Sequence, residues 1–310
     1  MNTTTPRKCQ LHYMITRSTL LHLRIPFSIF LMPVFCFAAS QAVHLTWQMY
    51  LIVFVILHIF VYPASNGFNS FYDKDEGSIG GLKNPPKVKQ DLLTTSLIFD
   101  IIGLFFSFLF VNWQFALLVF IYGLMSKAYS HPSIRLKKYA IGGWLTVGIF
   151  QGACTYLMCV LAFEKDFLTN FQGFEVFYIE RHLFAAALIS VLLLGSYPMT
   201  QIYQHEEDLK RGDKTISLLL GIRGTFIFTI LFFGMAAAGF YFYFSTYQYE
   251  FYFWLFQAFL APVLLYFVYW TFISWKDSSQ ANFQRTMLLN VLSSLSMIAY
   301  FTVITLMEQS

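Results

Sequence analysis

The chain has 310 residues, of which 57% are hydrophobic, 20% aromatic and only 12% charged, with phenylalanine alone supplying 37. A soluble domain carries about 25% charged residues, so the composition excludes an ordinary soluble protein and points to a polytopic membrane protein. The net charge of +4 names no partner by itself, no nucleic-acid partner is expected, and the four scattered cysteines (Cys9, Cys36, Cys154, Cys159) form no disulfide or zinc framework.

A transmembrane helix needs about 20 mainly apolar residues. Taken in chain order, that measure predicts spans at 20–39, 47–65, 93–111, 113–126, 141–163, 182–201, 225–243, 251–273 and 287–307. Residues 1–19 then form a cytoplasmic N-terminal segment, and residues 20–307 a single all-α domain of nine transmembrane helices in one bundle with a cytoplasmic-side cavity. The third and fourth spans meet at a tight turn near Asn112. Basic residues accumulate on the cytoplasmic side of membrane proteins. With the N-terminus inside, eighteen of the twenty Lys and Arg fall on that side, and only Lys165 and Arg181 fall outside. The C-terminus is therefore expected outside. The first span, flanked by basic residues and by Ala38, Ala39 and Ser40, also fits a secretory signal peptide, but its removal would cost the bundle a core helix.

Three polar segments interrupt this pattern, all on the expected cytoplasmic side. After the second span, Asn66, Asn69, Asp73 and Glu76 fall at i, i+3, i+7 and i+10, one face of a helix continuing out of the membrane. After the fourth comes Tyr129-Ser-His-Pro-Ser-Ile-Arg135-Leu-Lys137-Lys138. After the sixth, Tyr197, Gln201, Gln204 and Asp208 fall at i, i+4, i+7 and i+11, with Glu206 and Glu207 beside them. Solvated charges that merely end helices would explain one such segment. Two acidic segments at helical spacing on one side point instead to a magnesium site, because that ion takes hard oxygen ligands together with substrate phosphates. Arginine and lysine between them supply charge for a diphosphate, arginine as a bidentate fork.

These segments together resemble the UbiA superfamily of intramembrane prenyltransferases over about residues 20–305. Asn69-x-x-x-Asp73 looks like the family's first metal motif, and Asp208-x-x-x-Gly212-x-x-Thr215 followed by Leu218-Leu219-Leu220-Gly221 like the end of the second. The resemblance implies Mg2+-dependent transfer of a polyprenyl group from its diphosphate to a lipophilic, aromatic acceptor, in quinone, pigment or related lipid biosynthesis. It implies catalytic roles for Asn69, Asp73, Asp208, Arg135 and Lys137, and prenyl diphosphate binding by Asn66, Tyr129, Arg135, Lys137 and Lys138. Metal ligation would fall to Asn69, Asp73, Glu76, Gln204 and Asp208. It also implies an integral protein of a bacterial cytoplasmic membrane. Two positions depart from the pattern: Gly77 and Gln204 stand where aspartates are usual, so Asp75 or Glu76, and Glu206 or Glu207, would have to compensate. A family member that has lost catalysis is the alternative these departures keep open. A membrane transporter or binding protein is the other, although such a protein would place its charge near the bilayer midplane, where this chain has mainly Asp100. Asp100 reads equally as an acceptor-side base or a structural partner; Arg24 is placed to reach the diphosphate but reads more readily as a residue snorkelling to lipid headgroups.

Overall fold

The apolar runs fold as helices, and a computed structural model describes them for residues 15–43, 45–164 and 175–308. Most of the expected N-terminal segment, including Arg7, Lys8 and Cys9, and also Lys165, lie outside the described residues. In chain order the helices are α1 (Arg17–Ser40), α2 (Trp47–Asp73), α3 (Asp91–Phe110), α4 (Trp113–Ser130), α5 (Ala140–Phe163), α6 (Glu175–Gln201), the short α7 (His205–Arg211), α8 (Ile216–Tyr247), α9 (Glu250–Lys276) and α10 (Phe283–Glu308). No strand occurs among the described residues.

Eight of these helices are long and apolar enough to cross a membrane, against nine expected. Besides α7, the exception is α4, which has 18 residues and carries Lys127, Tyr129 and Ser130 at its end. It belongs to the bundle by its packing against α3 and α5 and by a Ser65–Ser126 hydrogen bond of 2.6 Å to α2. Asn112 makes the tight turn before it: its carboxamide oxygen caps α4 by accepting from Phe115 N at 2.8 Å, while its Nδ2 donates to Leu161 O of α5 at 2.7 Å.

Four helices are irregular: α8 is kinked at Gly221 (φ 67°, ψ 175°), and α1, α2 and α5 depart from regular α-helix as follows. Arg24 adopts a left-handed conformation (φ 48°) just before Pro26, which divides α1 into a first helical stretch, a 3-10 segment (Ile25–Leu31) and a final stretch. A π-helical segment, Ile56–Val61, lies in α2 just before Pro63, whose ring and missing N–H are incompatible with a regular interior turn. A second, Gly148–Cys154, lies in α5. There Gly152 lets α5 press against α6: a Cβ on it would stand 2.9 Å from Ser190 Cα and 3.1 Å from its N.

The loops alternate between the two ends of the bundle. At one end the chain after α2 meets α1, the loop after α4 and the α7 region, through Arg24–Gly80, Arg211–Asp75 and Lys214–Lys138 contacts. At the other end Gln41 Oε1 accepts from Arg181 (2.7 Å), Tyr243 (2.5 Å) and Gln248 (3.2 Å), tying α1 to α6 and α8. Between the ends lies an aromatic core in which Phe37 stacks on Phe301 at 4.7 Å and meets the edges of Tyr243 and Phe240. Asp100 has a partner: it pairs with Lys127 across α3 and α4, and Lys127 also lies 5.2 Å from the Phe68 ring centre. That pairing is what an ionisable group within a span requires.

Candidate active site

The first acidic segment begins as the helical spacing predicts. Asn66, Asn69 and Asp73 follow one another along the last turns of α2. The stripe stops there because Lys74 takes a left-handed conformation (φ 50°) and its N–H caps Ser70 O at 3.0 Å. The reversal turns the Asp75 carboxylate inward onto Arg211, whereas Glu76 is exposed and away from the cavity.

The basic loop closes over this helix end. Arg135, also left-handed (φ 47°), grips both carboxylate oxygens of Asp213 at 3.1 and 2.9 Å, and its Nη1 stands 3.6 Å from Asp73 Oδ1. The Lys137 ammonium donates to Asn69 Oδ1 at 2.8 Å and pairs with Asp73. The Ser130 hydroxyl donates to the same Asn69 oxygen at 2.8 Å. Lys138 points its side chain to the surface, and its carbonyl accepts from Lys214 N at 3.0 Å.

The second acidic stripe is broken between two helices. Tyr197 and Gln201 end α6, Gln204 precedes α7, and Asp208 sits within it, yet all four line one cavity. The Asp208 carboxylate accepts from Thr215 Oγ1 at 2.9 Å and stands 3.9 Å from Arg211. Gln204 turns its Nε2 to Ser78 O at 3.2 Å. Glu207 reaches across to Gly77 so closely that a Cβ there would overlap its carboxylate. The chain has a glycine at 77 and a carboxylate in the space beside it.

These groups form the mouth of a cavity of about 430 Å3. Asn66, Asn69, Asp73, Lys137, Gln204 and Asp208 line its polar end, beside a Tyr129–Tyr197 hydroxyl pair at 2.5 Å. The cavity continues between the helices past Tyr62, Tyr122, Phe150, Phe233, Phe240 and Phe256. Arg24 lines it too, donating to Gly80 O (3.2 Å) and Asn66 O (3.4 Å), so it faces the cavity rather than lipid headgroups.

Burial pushes the Asp208 carboxyl up to about 6, and burial with the nearby Asp73 raises Asp75 despite Arg211. Burial lowers the Lys137 ammonium although Asp73 opposes it. The bidentate hydrogen bonds to Asp213 raise Arg135. Both carboxyls are raised chiefly because burial disfavours their charged form, and the nearby Arg211 offsets this only in part. Among the described residues, no three His, Cys, Asp or Glu side chains are gathered as a metal cluster. The donor chemistry nevertheless suits a hard divalent cation. Every candidate ligand offers oxygen, and an ammonium already sits between Asn69 Oδ1 and Asp73.

The sequence model of the UbiA prenyltransferase family matches residues 28–292. The chain belongs to this family. The structure agrees: a UbiA homologue from Archaeoglobus fulgidus, solved with DMAPP and Mg2+, superposes with a TM-score of 0.67 at 15% identity, covering 93% of this chain and 99% of that one. The same homologue with GPP and Mg2+ gives 0.65 at 16% identity, with the same coverage. A digeranylgeranylglyceryl phosphate synthase gives 0.59 at 16% identity, covering 93% and 98%. No curated protein matches the sequence. At such low identity the likeness to solved structures establishes the UbiA fold, and the family match establishes a prenyltransferase.

Of the site residues named from sequence, Asn66, Asn69, Asp73, Tyr129, Lys137, Gln204 and Asp208 meet at the cavity, with Arg135 directly behind Asp73. Glu76 and the Lys138 side chain do not. Arg24 lies on the cavity, the less favoured of the two sequence expectations for it. Sequence reasoning missed Arg211 and Asp213 in this UbiA site, although both flank Gly212 within the second motif.

Proposed function

We propose that the protein catalyses Mg2+-dependent transfer of a polyprenyl group from a prenyl diphosphate to a lipophilic, aromatic acceptor. One observation carries the reading: a single cavity joins a mouth of carboxylates, carboxamides and cations to a chamber walled by aromatic rings. The structural relatives solved with GPP or DMAPP and Mg2+ support it.

Asn69, Asp73 and Asp208 would hold the metal, with Asp75 and Asp213 as the further carboxylates that line the cavity. When bound, Mg2+ neutralises charge on the leaving diphosphate. Lys137, Arg135 and Arg211 add cations from the protein itself, arginine by two parallel hydrogen bonds. Heterolysis of the C1–O bond leaves the electron pair on the diphosphate and an allylic cation on the prenyl group. Tyr62, Tyr122, Phe240 and Phe256 shield that cation from water and attract it through their ring faces, by about 0.5–2 kcal/mol each. Attack by the acceptor forms the new bond and releases one proton.

The test is direct. Purified protein incubated with Mg2+, a set of prenyl diphosphates and a membrane lipid extract should yield a new prenylated product by mass spectrometry. Release of diphosphate without any prenylated product, or no turnover at all, refutes the reading.

The same reading places residues 20–307 as a nine-span domain of a bacterial cytoplasmic membrane, with α4 as the ninth crossing and the cavity mouth and N-terminus inside. A C-terminal tag should then be accessible only from outside the cell. Labelling of that tag from the cytoplasm would break the arrangement.

A further inference from the structure

The wall of the cavity away from its mouth carries polar groups that the prenyl chain cannot use. Met287, Asn290, Ser294 and Met297 fall at i, i+3, i+7 and i+10 on α10 and share one face toward the cavity, with Ser293 beside them. Gln257 of α9 and Gln151 of the π-segment of α5 line the same space. Among the described residues, Gln151, Gln257, Asn290, Ser293 and Ser294 make no side-chain hydrogen bond, and all but Ser294 are part-buried on the cavity wall. Ser96, Ser107, Thr271 and Thr305, hydroxyls within other stretches of its long helices, each donate to the carbonyl one turn back at 2.7–2.8 Å. Neutral polar groups facing a cavity between membrane-spanning helices, and not tied to the protein itself, are the kind that orient a ligand there.

That ligand is not the diphosphate, whose charge belongs at the mouth, nor the hydrocarbon chain, which offers no hydrogen bonds. We propose that Gln257 and Asn290, assisted by Ser293, Ser294 and Gln151, bind the polar ring of the acceptor, and that this ring is neutral, bearing hydroxyl or carbonyl groups. Neutrality follows from the lining. All the charged residues that line the cavity (Arg24, Asp73, Asp75, Lys137, Asp208, Arg211 and Asp213) belong to its mouth, and α5, α6, α8, α9 and α10 contribute none. A carboxylate on the ring would enter without a counter-charge.

The two carboxamides stand at different depths. Tyr203, beside the mouth, meets Phe283 at the start of α10, whereas Tyr300 packs on Phe256. In this antiparallel pairing Asn290 lies nearer the mouth than Gln257. The acceptor ring is thereby held between the aromatic chamber and the site of ionisation. Gln257 and Asn290 act as specificity residues for a ring hydroxyl or carbonyl, since a site built to hydrogen-bond such a group discriminates strongly against ligands that lack it.

The assignment rests on the prenyl-transfer reading, and the two are separable by binding. Protein in lipid nanodiscs would be titrated with labelled geranyl diphosphate plus Mg2+ and, separately, with 1,4-dihydroxynaphthalene followed by its fluorescence. The neutral diol should bind at least about tenfold more tightly than the same ring carrying a carboxylate. Gln257→Leu and Asn290→Leu should each weaken diol binding by about tenfold and leave geranyl diphosphate binding unchanged, which also reports that the variants are folded. Leucine variants that bind the diol as the parent does overturn the proposal. So does a parent protein that prefers the carboxylated ring, or that binds geranyl diphosphate and not the diol. A protein that binds the diol but no prenyl diphosphate supports the pocket and sinks the prenyl-transfer reading instead. Should the leucine variants fail to fold, the comparison of the two rings on the parent protein decides.

Discussion

Asp73→Ala and Asp208→Ala are each expected to abolish Mg2+-dependent prenyl transfer, with losses of at least about 10²–10³-fold, the scale on which removing one preorganised electrostatic contact acts. Asp73 is where the two loops and the end of α2 converge: Lys137 pairs with it, Arg135 stands 3.6 Å away, and Asn69 shares the same ammonium. Asp208 approaches from α7, fixed by Thr215 at 2.9 Å. Removing either carboxylate leaves cations at the mouth without the charge that holds a metal–diphosphate pair. Glu207→Ala is expected to have a smaller effect of the same kind. Gly77→Asp should also impair activity, because its side chain must displace the Glu207 carboxylate, and Glu207→Ala should relieve that double variant. Turnover of a labelled prenyl diphosphate, measured beside a folding control such as monodispersity in detergent, checks the set. Full activity in Asp73→Ala and Asp208→Ala would remove both from the chemistry.

The largest structural effect is expected at a residue far from any charge. Gly152→Val should destabilise the fold by about 3 kcal/mol or more, the upper range of overpacking, because two of the three nearest neighbours of the new side chain are backbone atoms of Ser190 and the third is its hydroxyl. Its Cβ alone would stand 2.9 Å from Ser190 Cα, and the Ser190 hydroxyl already accepts from Ala153 N at 3.0 Å. Neither contact can yield without separating α5 from α6, whose residues line the cavity from two sides. Gly234→Ala is the control: it meets nothing within 4 Å and should leave thermal stability unchanged. Equal thermal midpoints for the two variants in detergent would refute the close-approach argument.

The helices and the motif loops were legible in the sequence because they obey one-dimensional rules. Apolar runs of sufficient length become spans, and Asn66, Asn69 and Asp73 share a face because α2 persists through them. The failures mark places where the chain departs from its own periodicity. Extending the stripe to Glu76 assumed that the helix continued, and a left-handed Lys74 stops it. Arg24 looks like a snorkelling residue only if α1 runs unbroken, and the left-handed turn before Pro26 sends it inward instead. Asp75, Glu207, Arg211 and Asp213 come together through contacts between residues up to 136 positions apart, which spacing cannot express. The identity of the cavity-facing aromatics was unreadable for the same reason: thirty-seven phenylalanines look alike until helices are packed.

The π-segments of α2 and α5 have a further consequence for how this enzyme is put together. Each inserts extra backbone into a turn, so the residues after it are rotated relative to those before it. In α2 the residues past Val61 include Tyr62, Ser65, Asn66, Asn69 and Asp73, all on the cavity wall. In α5 the insertion itself carries Phe150 and Gln151 to that wall. Each helix is thus two rods joined by a slipping gear. One rod can drift in sequence to suit the lipid around it while the other keeps its bearing on the reacting atoms.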